Sequence, residues 1–340
     1  MPLNFDMPFD SLATYAGRNP RPDDFDAYWE AALAELERTP SDIELVPAAV
    51  TPPAGTGGRA PFAAYEDLWF TGIGGARIHA KLVRPVGEAA ARSAGRNGKG
   101  PAVLQFHGYA GDSGDWQSKL GWAAAGFTVA ALDCRGQGGL SEDNQRTRGN
   151  TLHGHIVRGL ADALAGKPEA LLYRAIFLDT VRLARIVMGL DGVDPDRVGA
   201  MGGSQGGGLT IACAALEDRI ARAAPVFPFL SDYRRVWEMD EAKNAYEELR
   251  DWFRRFDPLH EREDAAFSAL GYIDVQHLAP RIRGEVLMAT GLMDEICPPS
   301  TQFAAYNKIP GAKSLVVYPD FGHEGLPGLD DRILAFMGGL

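Results

Sequence analysis

The stretch RVGAMGGSQGGGLTIACAALE, residues 197–217, decides the fold. Five of its glycines surround one serine and one glutamine, after an apolar run typical of a strand and before an apolar run typical of a helix. Such a cluster could bind phosphate, form a plain tight turn or present a nucleophile. The residues beside the glycines separate these possibilities.

The glycine cluster does not fit a phosphate-binding loop. A Walker loop needs G-x-x-x-x-G-K-[ST], and no lysine follows these glycines. A dinucleotide loop needs G-x-G-x-x-G after the first strand of a βαβ unit, and the sequence offers no plausible match. The match is to G-x-S-x-G, as Gly202-Gly203-Ser204-Gln205-Gly206, which between a strand and a helix is typical of a nucleophile elbow. A structural turn with a chance serine is the alternative.

Ser204 is the predicted nucleophile, and a serine hydroxyl needs a base and an acid that orients the base. In folds that carry a nucleophile elbow of this kind, the catalytic residues follow along the chain in the order Ser, Asp or Glu, His. His323 follows the last predicted strand, at the carboxyl end of the sheet, whereas the two other histidines after Ser204 lie in or beside a charged insertion. We therefore predict His323 as the base and Asp294, after the preceding strand, as the acid, with Glu295 as the alternative acid.

An oxyanion hole would complete this site, and it needs two backbone N–H donors. The predicted donors are Gln205, directly after the nucleophile, and Tyr109, in the loop of LQFHGYAG (104–111). His107 in the same loop is predicted to be structural and to satisfy loop carbonyls.

Strand-like and helix-like stretches alternate from residue 101 onward. Short, nearly continuous apolar runs are typical of strands buried on both faces, and their alternation with helices predicts an α/β fold with a mostly parallel sheet covered on both sides. The predicted strands are 101–106, 127–133, 197–202, 220–228, 285–291 and 314–320, and the predicted helices are 115–125, 169–190, 205–217, 299–308 and 329–337.

Residues 1–100 are predicted to be an N-terminal extension with the first strands. It contains an amphipathic helix over 23–38 that packs on the domain, a hairpin formed by 63–72 and 76–85, and an exposed connection over 87–100. The whole chain, 1–340, is predicted to be a single domain.

Residues 231–266 interrupt the strand–helix alternation with a charged, aromatic segment of helical period. We predict a lid-like insertion over one edge of the sheet. It could cap the site, form subunit contacts or be a solvated helix pair.

Charge and composition exclude several classes of partner. The 340 residues carry a net charge of −11, with 46% hydrophobic and 23% charged residues, as in a globular protein with a real core. The acidic balance argues against nucleic acid or an anionic membrane surface as partner. No apolar run approaches the roughly 18 residues of a membrane span. The N-terminus lacks the basic and apolar regions of a signal peptide, so none is expected.

The cysteines and histidines predict neither disulfides nor a metal. Cys134, Cys213 and Cys297 are far apart and odd in number, which fits a reducing cytoplasm. The pair His153-x-His155 has no third ligand at matching spacing, so it indicates an irregular surface segment more than a metal site.

Several motifs together resemble the carbohydrate esterase family 7 acetyl xylan esterases, also called cephalosporin-C deacetylases. They extend from residue 1 to the last helix, and RGQGG, GxSQG and His-Glu in this order are more specific than any one of them alone. The motifs are MPLNFDMPFDSLATY with DDFDAYWEAAL, HGYAG, DCRGQGG (133–139), GGSQGGG, GLMDEICPPSTQFAAYN (291–307) and FGHEG (321–325).

The resemblance implies an α/β-hydrolase fold and a serine esterase that removes O-acetyl groups from short acetylated xylo-oligosaccharides and from cephalosporin C. It also implies intracellular action, no metal or organic cofactor, and a ring-like homo-hexamer built as a trimer of dimers. The family triad falls on Ser204, Asp294 and His323, and its oxyanion donors fall on Tyr109 and Gln205, in agreement with the residues chosen above.

Two further expectations concern the surroundings of the triad. An acetyl methyl needs a tight apolar slot, which Tyr109, Phe229 and Ile296 could line, with ordinary core or lid packing as the alternative. Arg135 is predicted to tie the RGQGG loop to a nearby carboxylate, for which Glu324 is one candidate. The loop comprises Arg135, Gly136, Gln137, Gly138 and Gly139.

Other functions remain open at this point. A peptidase or a lactone hydrolase on the same fold is one alternative, because a fold does not determine an activity. The short N-terminal extension speaks against the large specificity domain that such peptidases usually carry. A catalytically silent binding protein is the other alternative, and the intact Ser, Asp and His argue against it.

Overall fold

A computed structural model describes residues 5–49, 60–95, 97–148 and 154–340. Within these ranges, nine strands form one sheet. They are β1 (Glu44–Pro47), β2 (Ala63–Thr71), β3 (Arg77–Pro85), β4 (Gly100–Phe106), β5 (Thr128–Leu132), β6 (Val193–Gly203), β7 (Arg222–Val226), β8 (Glu285–Gly291) and β9 (Lys313–Tyr318). Their order across the sheet is β1-β2-β3-β5-β4-β6-β7-β8-β9.

The helices of the described residues come before, between and after these strands. They are α1 (Phe9–Leu12), α2 (Phe25–Arg38), α3 (Glu88–Ser93), α4 (Leu120–Ala124), α5 (Leu160–Ala163), α6 (Leu172–Met188), α7 (Gln205–Leu216), α8 (Tyr233–Glu238), α9 (Glu247–Phe256), α10 (Glu263–Leu270), α11 (Val275–Leu278), α12 (Pro299–Tyr306) and α13 (Leu329–Met337). None of them is both long enough and apolar enough to cross a membrane.

The sheet is parallel wherever the sequence alternates between strand and helix. Strands β4 to β9 pair in parallel, and β1, β2 and β3 pair antiparallel with their neighbours. Helices α6 and α7 contribute to a core cluster on one face, and α4 and α13 contribute to a second cluster. This is the predicted α/β-hydrolase architecture, and it brings the carboxyl ends of β6, β8 and β9 to the same side of the sheet.

The N-terminal extension matches its predictions except in two places. Helix α2 buries Phe25, Trp29 and Leu36 at helical spacing, and β2 and β3 form the expected hairpin. The edge strand β1 was not expected, because its four residues are all exposed and show no alternation. The segment 87–100 is not simply an exposed connection, since it contains α3, which buries Ala89.

We predicted that the insertion lies over one edge of the sheet, and this prediction is wrong. The insertion leaves after β7 and returns to β8, and these two strands are neighbours inside the sheet. Its helix α8 packs against α12, and Glu248 of α9 contacts Tyr109 in the loop after β4, so the insertion lies near the carboxyl ends of the central strands. A charged, aromatic pattern of helical period predicts helices, but it does not say which element they cover.

Candidate active site

The turn from β6 into α7 has the geometry of a nucleophile elbow. Ser204 lies between the two elements with φ +57° and ψ −122°, a backbone conformation that residues other than glycine rarely adopt. Its N–H donates to the Val226 carbonyl at 3.0 Å, which fixes the turn against β7. Strain of this kind costs of order 1–3 kcal/mol and persists where the surroundings enforce it.

The small residues around Ser204 are required by the end of β4. A Cβ on Gly202 would lie 2.5 Å from the Phe106 carbonyl oxygen, and a Cβ on Gly206 would lie 2.0 Å from the same atom. Any larger residue at either position would push the elbow away from β4. The glycines therefore allow close approach of backbone to backbone, as the elbow pattern predicts.

Asp294 and His323 form a hydrogen-bonded pair beside this turn. His323 follows β9 and Asp294 follows β8, and His323 Nδ1 lies 2.9 Å from Asp294 Oδ2. A carboxylate can only accept, so Nδ1 carries the proton and Nε2 is left with a free lone pair. That tautomer is the one a general base needs.

The Asp294 carboxylate is held in place by backbone. It is fully buried, and its Oδ1 accepts from the N–H groups of Ile296 at 2.9 Å and Cys297 at 2.8 Å. Gln302 Nε2 lies 3.4 Å from Oδ2. Glu295, the alternative acid, is exposed. The structure therefore pairs His323 with Asp294 and not with Glu295.

Cys297 connects the pair to Ser204. The Ser204 side chain is close enough to influence the pKa of its thiol, and potential ligand atoms of Asp294, Cys297 and His323 all lie within 4.8 Å of one another. A hydrogen bond from Ser204 to His323 is not among those of the described residues. In free enzymes this contact is often long and shortens when substrate binds.

The cluster of Asp294, Cys297 and His323 has the spacing of a metal site but unsuitable donors. Both carboxylate oxygens of Asp294 already accept hydrogen bonds. Burial raises the pKa of Cys297 well above its usual value, so the thiol keeps its proton. Metals bind thiolates, and the donor set as it stands does not fit one.

The histidine pair of the sequence analysis falls partly outside the described residues, because His153 lies there. His155 is described, and its ring packs on Tyr109 with the centroids 4.8 Å apart. Burial lowers the pKa of His155 to about 4, so this imidazole is neutral near pH 7.

The two predicted oxyanion donors, in different segments, have unused amides. Neither Tyr109 N–H nor Gln205 N–H donates a hydrogen bond within the described part of the chain. Gln205 is the first residue of α7, where backbone N–H groups have no partner in the helix. Unused donors of this kind are what an oxyanion hole requires.

Gln137 holds the two loops that carry these amides. Its Oε1 accepts from Ala110 N–H at 2.9 Å and from Gln205 Nε2 at 3.0 Å. The Tyr173 hydroxyl donates to Gln205 Oε1 at 2.6 Å, so the buried Gln205 side chain is fixed from both sides. The glutamine of the RGQGG loop thus links the residue after Tyr109 to the residue after Ser204.

His107 is structural, as predicted. Its Nδ1 donates to the Gly108 carbonyl at 2.7 Å, and its Nε2 accepts from Cys134 N–H at 3.0 Å. Burial lowers its pKa, which keeps the ring neutral.

Arg135 ties the RGQGG loop to a carboxylate, but that carboxylate is Asp179 and not Glu324. Arg135 Nε and Nη2 donate to the two Asp179 oxygens at 2.7 Å each, and both residues are completely buried. Glu324 is exposed and accepts from Gly322 N–H at 3.1 Å. Asp179 lies on α6, and nothing in the sequence indicates that this helix passes under the loop.

The other glycines of the RGQGG loop allow it to approach its neighbours. Gly136 has φ +67°, in the left-handed region. A Cβ on Gly138 would lie 2.8 Å from the Ala110 carbonyl oxygen, and one on Gly139 would lie 2.1 Å from the Asp133 side chain. The loop therefore packs directly on the segment that carries Tyr109.

Of the three residues predicted to line the acetyl slot, Tyr109 and Phe229 contact each other. Phe229 is buried, donates its N–H to the Ser204 carbonyl at 3.0 Å and packs edge-on against Tyr109 at 5.7 Å between centroids. Ile296 is half-buried and packs against the edge of the same core cluster.

Sequence reasoning missed three residues near the site. Tyr246 packs on Phe229 at 4.2 Å between ring centroids, and Phe227 packs on the His323 ring at 4.4 Å. Glu248 accepts a hydrogen bond from the Tyr109 hydroxyl. Tyr246 and Glu248 come from the insertion, and no motif distinguishes them there.

Comparisons with known proteins show which family the chain belongs to. The profile of the acetyl xylan esterase family (AXE1) matches residues 1–340. The chain belongs to this family. The solved acetyl xylan esterase 1 from Thermoanaerobacterium sp. JW/SL YS485 is 53% identical, covers 98% of this chain and 99% of its own, and superposes with a TM-score of 0.91. The acetyl xylan esterase from Paenibacillus sp. R4 is 35% identical, with the same coverage of both chains and a TM-score of 0.88.

A curated relative is more distant. The acetyl esterase Axe7A of Xylanibacter ruminicola is 25% identical over 307 residues, which is 88% of this chain and 62% of Axe7A. This member of the family therefore spans about 62% of the length of that relative. The family assignment confirms the predicted enzyme class, a carboxylic ester hydrolase.

Proposed function

We propose that this acetyl xylan esterase family member is a serine esterase that removes O-acetyl groups from small acetylated carbohydrates, such as xylo-oligosaccharides, through an acetyl-Ser204 intermediate. The observation that supports this best is the Asp294–His323 pair, whose Nδ1–Oδ2 distance is 2.9 Å, beside a serine at a strained strand-to-helix turn. Cephalosporin C is a second proposed substrate, and the family resemblance alone supports it.

The proposed acylation step uses groups of this chain alone. His323 Nε2 accepts the hydroxyl proton of Ser204 as its Oγ attacks the acetyl carbonyl. The N–H groups of Tyr109 and Gln205 stabilise the oxyanion that forms. His323 then gives the proton to the departing sugar oxygen, and the acetyl group stays on Ser204.

Deacylation repeats these steps with water as the nucleophile. His323 accepts a proton from water as the water attacks the acetyl-enzyme. When the second tetrahedral intermediate collapses, His323 returns this proton to Ser204 Oγ and acetate is released. Asp294 keeps the imidazole in the correct tautomer and stabilises its charged form in both half-reactions.

A kinetic comparison tests this proposal. We expect the wild-type protein to hydrolyse p-nitrophenyl acetate and acetylated xylobiose, and a serine-directed phosphonate to abolish both activities. Ser204→Ala should lose at least about 10³-fold in kcat. Absence of turnover in the wild type would support a silent binding protein, and cleavage of peptide substrates in preference to acetyl esters would support a peptidase.

We also propose a cytoplasmic location and a homo-hexamer. The location is supported by three cysteines that are all unpaired and buried, as in a reducing compartment. The hexamer is supported by the family resemblance. Light scattering after size-exclusion chromatography tests it, and a monomer or dimer at micromolar concentration would refute it.

A further inference from the structure

The insertion brings one carboxylate to the site that the proposed mechanism does not use. Glu248, near the start of α9, is only 5% exposed. Its Oε1 accepts from the Tyr109 hydroxyl at 2.6 Å and from His155 N–H at 3.1 Å, and its Oε2 accepts from Val157 N–H at 2.8 Å. This carboxylate therefore joins the oxyanion loop, the segment 154–157 and the insertion.

The segment 154–157 is shaped around the carboxylate. A Cβ on Gly154 would lie 2.3 Å from Glu248 Oε2, and Gly154 has φ +120°, so a side chain there would be both crowded and strained. The ring of Tyr109 packs on the ring of His155 and also contacts the ring of Phe229. The Tyr109 side chain is thus held at its hydroxyl and by rings of two other segments.

Holding the Tyr109 side chain also restrains its backbone. The next residue, Ala110, has φ +57° and gives its N–H to Gln137. With Ala110 fixed on one side and the phenol fixed by Glu248, the Tyr109 N–H has little freedom to rotate. Oxyanion donors are effective because they are already aimed before the reaction starts.

We propose that Glu248 is a positioning residue for the oxyanion hole, which holds the Tyr109 hydroxyl so that Tyr109 N–H stays aimed at the oxygen of the tetrahedral intermediate. The inference rests on the proposed function, because it requires acyl transfer at Ser204. The competing account is that Glu248 only anchors the insertion, which would change stability without changing kcat.

Four single variants separate these accounts. Glu248→Ala removes the acceptor, and Tyr109→Phe removes the donor with almost no change in shape. Glu248→Gln keeps the volume, and its amide oxygen can still accept from the phenol, with its NH₂ group then opposite the Val157 N–H. Glu247→Ala, at the exposed neighbouring position of α9, is the matched control. Burial raises the pKa of Glu248 to about 7, so the assays are run near pH 8.5, where its carboxylate is ionised.

Two readouts are needed, steady-state kinetics with p-nitrophenyl acetate and inhibition by methylboronic acid, which forms a tetrahedral adduct with a reactive serine. We expect Glu248→Ala and Tyr109→Phe each to lower kcat by about 10- to 100-fold, with KM changed by less than about threefold. Methylboronic acid should bind more weakly by a similar factor. The double variant Glu248→Ala/Tyr109→Phe should lose about as much kcat as either single variant, because both substitutions break the same contact. Glu248→Gln should recover most of the loss, and Glu247→Ala should behave as the wild type.

A folded Tyr109→Phe variant with unchanged kcat overturns the proposal. A rise in KM without a fall in kcat also overturns it, and so do losses of kcat that add up in the double variant. If Glu248→Ala does not fold, Tyr109→Phe decides by itself. Failure of the proposed function would be visible separately, since the wild type would then show no Ser204-dependent turnover.

Discussion

The replacement Asp294→Asn tests the triad more sharply than removal of the side chain. The two N–H groups of Ile296 and Cys297 lie 2.9 and 2.8 Å from Oδ1 and belong to backbone, so they require an acceptor at that position. The asparagine oxygen must therefore take the place of Oδ1. Its NH₂ group then takes the place of Oδ2, opposite His323 Nδ1.

This orientation forces the wrong tautomer on His323. An NH₂ group can only donate, so Nδ1 has to accept and the ring proton moves to Nε2. A protonated Nε2 cannot take the Ser204 proton. Replacement of the triad aspartate by asparagine lowers kcat by about 10⁴-fold in a serine protease. This factor corresponds to about 5.4 kcal/mol of transition-state stabilisation.

The assay is p-nitrophenyl acetate hydrolysis near neutral pH, with thermal unfolding as the check on folding. We expect Asp294→Asn to fold and to lose activity by this factor. Glu295→Gln, at the exposed neighbouring position, should keep wild-type kcat. A folded Asp294→Asn variant within about tenfold of the wild-type kcat would refute the assignment, as would a large loss in Glu295→Gln.

Three further replacements test other parts of the structure. Arg135→Ala leaves the buried Asp179 carboxylate without its partner. The free energy of unfolding measured in urea should therefore fall by about 3–5 kcal/mol, and kcat should fall as well. Unchanged values of both would contradict the role of the pair. Phe229→Ala should raise the activity on p-nitrophenyl butyrate relative to the acetate, because it enlarges the slot, and an unchanged ratio would show that Phe229 does not limit acyl length. Gly206→Ala places a Cβ 2.0 Å from a backbone carbonyl and should strongly lower the unfolding midpoint, whereas Gly121→Ala, in open space, should not, and equal midpoints would contradict the packing argument.

Much of the fold was predictable from the sequence because local patterns carry the information. Buried parallel strands are short apolar runs, and amphipathic helices repeat apolar residues at helical spacing, so elements such as β8 (Glu285–Gly291) and α13 (Leu329–Met337) lie where the patterns predict them. The elbow was predictable for a different reason. Its glycines are demanded by close backbone contacts, and their spacing around one serine is visible in one dimension.

Long-range partners were not predictable in the same way. The choice of Glu324 as the partner of Arg135 followed proximity to the predicted base, while the actual partner, Asp179, lies on a helix that the fold brings underneath. Glu248 and Tyr246 were missed because they belong to an insertion whose position on the sheet is not encoded by its helical period. Such contacts depend on the three-dimensional path of the chain.

The most direct test of the central claim is to trap the acyl-enzyme. The wild-type protein is acid-quenched during turnover of p-nitrophenyl acetate, digested and analysed by mass spectrometry. We predict one acetyl group on Ser204, and none at this position in Asp294→Asn at the same time point. Turnover without acetylation of Ser204, or with the acetyl group on another residue, would contradict the account.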